Sequence, residues 1–175
     1  MNIGNQIVMQ GDTAVMSTIR NKAFVSLLKT ISYVITGHLH FAKDCIGEFV
    51  TMDDGQEYIV FRQVIVDPKR DLTKKPEAML IIRFNFAHGS PKQNKLLSLI
   101  PIPFIAGLPG FRSKKWALQK GSGGFQGIYE WDTIQDAETY KKSFAIKLMA
   151  KRAIPGSITF QIIPHHANKE GNNAK

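Results

Sequence analysis

The sequence is poor in cysteine: Cys45 is the only one in 175 residues. No internal disulfide can form, and the chain suits a reducing compartment. It also lacks the roughly 18 uninterrupted apolar residues that a bilayer span needs. The richest window, "LLSLIPIPFIAGLPGF" (96–111), carries three prolines, which would break a membrane helix. The start, "MNIGNQIVMQGD", has no basic head followed by an apolar run, so no signal peptide is expected. A soluble, cytoplasmic protein is the expectation. Several enzyme signatures are missing too: no phosphate-cradling glycine loop, no nucleophile elbow and no convincing pair of carboxylates.

Acidic residues are the minority, 14 against 23 Lys and Arg, for a net charge of +9. Between residues 90 and 155 eleven Lys or Arg face four Asp or Glu. Such a field attracts polyanions, anionic membranes and acidic ligands. The lysines are scattered, however, as in Lys141, Lys142, Lys147 and Lys151, and read as a solvated face.

What is present divides into an extension, a domain and a tail: 1–77, 78–163 and 164–175. In 13–36 the apolar residues Val15, Ile19, Phe24, Leu27, Leu28, Ile31, Val34 and Ile35 follow the helical period, with Arg20, Lys22, Ser26 and Lys29 opposite. Asp12 can cap this helix and Gly37 can end it. Its apolar stripe is expected to dock on its own domain, with peripheral membrane contact the less favoured use. Two β-branched and aromatic runs in 47–66 flank Asp54-Gly55, a hairpin signal resting on positive φ at both turn residues. Residues 67–78 read as a linker and 164–175 as a polar, disordered tail.

From 79 the order is strand (79–87), helix (90–107, ended by Pro101 and Pro103), strand (111–118), strand (125–131), helix (133–153) and strand (156–163). This is the α+β, ferredoxin-like βαββαβ arrangement. Its helices cover one sheet face and leave the other for a partner or ligand. In "FQGIYEW", Phe125, Gly127, Tyr129 and Trp131 share a face opposite Gln126, Ile128 and Glu130. The next helix starts at a capping arrangement, Asp132 with Gln135 or Thr133 with Asp136.

Two resemblances bear on function. "KGSGGFQGIYEW" is partly similar to the third strand of RNA-recognition motifs, but its spacing is off by a residue and Ile82 stands where a stacking aromatic is expected. "MLIIRFNFAHGSP", "LPGFRSKKWAL" and "GGFQGIYEWDTIQDAETYKKS", in that order, resemble the YdhR-type mono-oxygenase-like proteins of the antibiotic-biosynthesis mono-oxygenase group. That likeness covers about 78–163 and implies a dimeric α/β barrel, with two sheets paired face to face and a pocket between sheet and helices in each subunit. It implies a homodimer, a small hydrophobic or aromatic ligand and no cofactor of the protein's own. By the same likeness Asn85 falls near an asparagine that is functional in haem-degrading relatives, and Tyr140 at their helix tryptophan. "KKSFAIKLMAKR" lacks the iron-ligating histidine those relatives carry, which argues against haem.

The candidate residues follow. Arg83 and Asn85 share a strand face opposite Leu80, Ile82, Phe84 and Phe86. They could bind a substrate oxygen or pair across a dimer, since an unpartnered buried polar group costs roughly 1–3 kcal/mol. His88, in "FAHGSP", could act as an acid or base near neutral pH. Asn85, His88 and Arg83 are therefore the catalytic candidates, and Tyr140, Trp116, Tyr129 and Trp131 the substrate-binding ones. "GHLH" (37–40) offers two imidazoles without a third ligand, and His165 and His166 read as solvated, so no metal is expected. The leading function is a cofactor-independent mono-oxygenase acting on a small apolar or aromatic molecule. The alternative is a non-catalytic module for a hydrophobic ligand or protein partner; RNA binding comes third, with no nucleic-acid partner expected.

Overall fold

A computed structural model describes residues 23–52, 54–67 and 74–165. The elements in chain order are helix α1 (23–35), then β1 (Leu39–Ala42), β2 (Phe49–Thr51), β3 (Glu57–Val66) and β4 (Ala78–Phe84). Helices α2 (Pro91–Leu97) and α3 (Ile102–Ile105) follow, then β5 (Phe111–Gln119), β6 (Phe125–Trp131), α4 (Ile134–Lys141), α5 (Phe144–Ala150) and β7 (Thr159–Pro164).

All strand pairs are antiparallel in one sheet of order β1-β3-β5-β6-β4-β7, with β2 also paired to β3. The run β5-β6-β4-β7 places the domain's second, third, first and fourth strands side by side. That is the ferredoxin-like order, and it puts both helical crossovers on one sheet face. The chain before residue 78 widens this sheet by pairing β3 to the outer edge of β5.

The helix-side core gathers Leu80, Ile82, Phe111, Tyr129 and Trp131 from the strands with Ile105, Ala137, Tyr140 and Ile146 from the helices. At roughly 25 cal/mol per Å² of apolar area removed from water, this layer is the main source of stability. A smaller cluster of Cys45, Tyr58, Val60 and Ala117, with Val50 and Met52 against it, covers part of the opposite, open face.

The structure corrects several local expectations. The helix expected over 133–153 is two helices. Lys142 leaves helical geometry, and the Ser143 hydroxyl accepts from the Ile146 N–H (3.4 Å) to start α5, an N-cap competing with continuation. The helix expected over 90–107 is likewise split. α2 ends at Leu97, and α3 starts at Ile102 with Pro101 as its N-cap, so that Pro103 sits in a first turn where its missing N–H costs nothing. At the hairpin tip Gly55 is at φ +74°, while no non-glycine residue among those described has a positive φ, so Asp54 does not share that conformation. Gly37 ends α1 at φ +72° as expected, whereas Asp12 and the residues after His165 lie outside the described chain.

The largest correction concerns how α1 docks. It turns its polar side inward. Ser26 and Thr30 are 2% and 5% exposed, while Phe24, Leu28, Ile31, Val34 and Ile35 face solvent. The Ser26 hydroxyl donates to the Phe104 carbonyl (2.6 Å) and the Thr30 hydroxyl to the Pro103 carbonyl (2.7 Å). These are carbonyls of a four-residue helix, too short to satisfy them internally. Gly107 permits the approach, since a Cβ there would lie 1.9 Å from the Ser26 carbonyl oxygen.

Candidate functional site

Strand parity decides which side chains meet. Register pairs Lys114 with Tyr129, Trp116 with Gly127, and Leu118 with Phe125, so these residues share the helix-facing side of β5 and β6. α2, α3 and α5 close over this area and leave a cavity of about 80 Å³. Its walls are Phe84, Phe86, Phe125, Trp116, Tyr129 and Tyr140. Lys114 and Arg152 also line it, and the half-exposed Ile100 and Leu148 stand at its outer end. As it stands it has room for several waters or a ligand of a few heavy atoms, since one water needs about 10–15 Å³. That is well below the roughly 300–1,000 Å³ of pockets for drug-sized ligands.

Lys114 is the unusual group. It is 5% exposed, and its Nζ sits 4.2 Å from the Trp116 ring centroid and 4.4 Å from that of Tyr129. Among the described residues no carboxylate lies within ion-pair distance of it. Burial holds its pKa well below the ordinary lysine value, and the nearby Arg62 charge lowers it further. The two ring faces act the other way, because a π face attracts a cation. Arg62 is fixed beside it by donating to the Lys95 carbonyl (2.9 Å) and the Ser98 hydroxyl of the α2 region.

The two phenols complete the floor. The Tyr140 hydroxyl donates to the Tyr129 oxygen at 3.3 Å, with ring centroids 5.1 Å apart. Burial raises both pKa values, so both hydroxyls remain protonated donors at neutral pH. Gly127 gives the Tyr129 ring its place: a Cβ there would stand 2.7 Å from Tyr129 Cε2. Arg152 lies 4.9 Å from the Phe86 centroid and donates to Asn94 Oδ1 (3.4 Å). The arrangement offers flat apolar walls, the free O–H of Tyr129 in a hydroxyl pair whose other proton is already donated, and one amine with no acid beside it among the described residues.

Of the seven sequence-based candidates the structure brings three together here: Trp116, Tyr129 and Tyr140. Trp131 packs one step beyond, edge-on to Phe111 at 5.5 Å and 5.0 Å from Tyr140, its buried Nε1 without a hydrogen-bond partner among the described residues. The three catalytic candidates lie elsewhere. Arg83 is on the open face, where its Nε donates to Gln126 (3.0 Å) and its Nη1 meets Asp54 at 2.5 Å. Its partner is thus within its own chain, at the tip of the β2–β3 hairpin. Asn85 is exposed just past β4, its backbone tied to Ser157 and Ile154. His88 is exposed in the loop before α2, and its carbonyl accepts from Asn94. None of the three lines the cavity. Sequence reasoning missed Lys114, although Trp116, two residues along the same strand, had signalled that face.

Other candidates resolve simply. His40 pairs with Asp67 at 3.6 Å, and no three His, Cys, Asp or Glu side chains gather among the described residues. No histidine lines the cavity and its volume is far too small for a porphyrin, so these residues do not fit haem. The β6 aromatics Phe125, Tyr129 and Trp131 are buried on the helix side, so none is available to stack bases on the open face.

No protein-family model and no curated protein matches the chain. Among solved structures it is similar to an uncharacterized ferredoxin fold protein related to antibiotic biosynthesis monooxygenases from Listeria monocytogenes 4b F2365. The identity is 15% and the TM-score 0.49, with 67% of this chain and 69% of that one covered. It is also similar to LmHde, a heme-degrading enzyme from Listeria monocytogenes, at 16% identity and TM-score 0.45, covering 63% and 72%. A monooxygenase-like protein from Listeria innocua matches at 14% identity and TM-score 0.46, covering 63% and 65%. These neighbours are ferredoxin-fold, mono-oxygenase-like proteins. A likeness at this level carries no residue role to this chain.

Proposed function

We propose that the cavity, widened as the flexible Leu148, Met149 and Arg152 side chains that line it swing outward, binds a small aromatic molecule with an acidic C–H or O–H and supports its cofactor-independent oxygenation by dioxygen. The observation that carries this reading is Lys114, buried between two aromatic faces with no carboxylate among the described residues to neutralise it. Lys114, which burial biases toward the free amine, takes the substrate's proton, and the ammonium so formed pairs with the substrate anion in a dry site, where such attraction is strong. The Tyr129–Tyr140 hydroxyl pair supports the anion's oxygen. The electron-rich anion then reduces dioxygen. For an activated methylene the products are a ketone carbonyl and water. Both C–H bonds and the O–O bond break, one oxygen atom stays on the carbon, and the other leaves with the two hydrogens. Lys114 thus replaces Asn85, His88 and Arg83 in the proton-transfer role.

The test uses a chromophoric phenol, 4-nitrophenol, whose anion absorbs in the visible. Wild type should bind it as the phenolate at a pH where free phenol predominates. Lys114→Met should lose that band, while Asn85→Ala and His88→Ala keep it. An unchanged phenolate band in Lys114→Met would sink the reading. Oxygen uptake with 2-indanone, an activated-methylene ketone, then separates an oxygenase from a ligand-binding module: binding without uptake favours the module. A homodimer through the open face, where Met79, Ile128 and Ile163 are half-exposed, and a cytoplasmic location belong to the same proposal.

A further inference from the structure

The helix side of the molecule carries a surface the cavity chemistry does not require. Nineteen large apolar side chains are exposed among the described residues. Six of these lie on α1, five between Ser90 and Leu108, and two on α5, thirteen in all. Ile35 is 78% exposed, Phe24 and Val34 58%, and Ile100 55%. The three segments adjoin. α1 is hydrogen-bonded to α3 through Ser26 and Thr30, while Leu97 and Ile100 face Leu148 and Met149 across the cavity. Soluble proteins rarely expose so continuous an apolar area without a use for it.

The charges on these segments are all of one sign. Residues 23–35, 90–108 and 143–152 contain Lys29, Lys92, Lys95, Lys147, Lys151 and Arg152, and not one Asp or Glu. Apolar side chains pointing outward amid lysines, on a helix anchored by its polar face, are the pattern of an interfacial surface. A second copy of the chain is a poor occupant. A two-fold contact through this surface would bring lysines against lysines with no acid to answer them. Anionic lipid headgroups answer them directly.

We propose that α1, the 90–108 segment and α5 seat this protein on an anionic bilayer surface, with apolar side chains in the headgroup boundary and lysines on the phosphates. The outer end of the cavity opens within this surface, at Ile100 and Leu148, so an apolar ligand would reach it from the lipid. No helix among the described residues is long and apolar enough to cross a membrane, so the contact is peripheral. The docking surface stands whatever the cavity's chemistry, and lies on the sheet side opposite any open-face dimer.

The full chain is tested by flotation with phosphatidylcholine vesicles, with and without phosphatidylglycerol. Binding is expected only with phosphatidylglycerol and should fall with added salt. Leu28→Glu and Ile31→Glu, both exposed and so harmless to the fold, should each weaken it about tenfold or more, from the transfer free energy of one such side chain. Reversing Lys29 to Glu should weaken it about fivefold or more, at roughly one favourable contact per basic residue. Lys114→Met should leave flotation unchanged, so failure of the cavity reading and failure of this one are distinguishable. Wild type that stays with the unbound fraction overturns the proposal. So does equal flotation of Ile31→Glu, or a dimer that Ile31→Glu dissociates.

Discussion

Replacing Gly127 by Ala is the sharpest probe of the cavity floor. The glycine does not need a left-handed backbone; what it supplies is space. An added Cβ would stand 2.7 Å from Tyr129 Cε2 and 3.1 Å from both Cζ and the hydroxyl oxygen. Ordinary carbon–carbon contact is about 3.5–4.0 Å, so the ring must retreat by close to an ångström. It has little room to do so. Tyr129 is 1% exposed, lies over Lys114 Nζ at 4.4 Å and contacts Tyr140 at 3.3 Å between hydroxyl oxygens. Overpacking of this kind costs about 1–3 kcal/mol. In a chain of this length each kcal/mol moves the melting temperature about 2–4 °C, so a drop of roughly 2–12 °C is expected by calorimetry or thermal circular dichroism. The same shift moves the tyrosine wall and should weaken 4-nitrophenol binding. A Gly127→Ala protein with wild-type melting and binding would mean that the Tyr129 ring does not lie over residue 127, and the cavity floor would have to be redrawn.

Two further outcomes follow from the same geometry. Because burial lowers the Lys114 pKa, the unfolded chain holds more protons than the folded one between the folded value and the ordinary lysine value of about 10.4. Stability therefore rises with pH through that window, at up to about 1.4 kcal/mol per pH unit, and the advantage of Lys114→Met over wild type should shrink as urea unfolding is repeated at higher pH; parallel curves would contradict a buried, perturbed lysine. Gly107→Ala places a Cβ 1.9 Å from a backbone oxygen that cannot swing away, so α1 must lift and lose the Ser26 and Thr30 hydrogen bonds, about 1 kcal/mol each. Hydrogen exchange should then show α1 amides deprotected while β4 and β6 remain slow, and equal α1 protection in both proteins would refute that docking mode.

The order of elements was legible because strands and helices leave different periods in the sequence. The β6 segment is the clearest case, since its alternation put Phe125, Gly127 and Tyr129 on one face, which the fold turns toward the cavity. Lys114 was equally accessible by parity but was hidden by composition. In "FRSKKWAL" two lysines stand side by side, and composition alone does not show that a strand must send one of them to each side. Breaks within helices were harder, because Ser143 is neutral inside a helix and decisive only when its hydroxyl finds the Ile146 amide. The docking of α1 was not readable at all from amphipathicity. The 3.6-residue period identifies the apolar stripe but not which stripe faces inward. Here two hydroxyls, a glycine and the unsatisfied carbonyls of α3 outweighed it locally.

The extension before residue 78 also bears on which side of the sheet can do chemistry. Two basic residues stand on opposite faces of the central strands: Arg83 on β4 facing the open side, and Lys114 on β5 facing the helices. The β2–β3 hairpin folds its tip back so that Asp54 meets Arg83. Gln126 fixes the guanidinium from the other side and itself donates to Met52 Sδ at 3.4 Å. The Arg83–Asp54 contact also helps hold the Asp54 carboxyl below its usual range, second to its hydrogen bond with the Gln56 amide. Arg83 is thereby neutralised by an acid that the ferredoxin-like core does not contain. Lys114 receives no such partner from any described element, only ring faces and a neighbouring guanidinium. A buried basic group without an acid lowers stability, whereas a paired arginine need not. That contrast, rather than either residue alone, is what supports placing the proposed chemistry in the cavity beneath the helices.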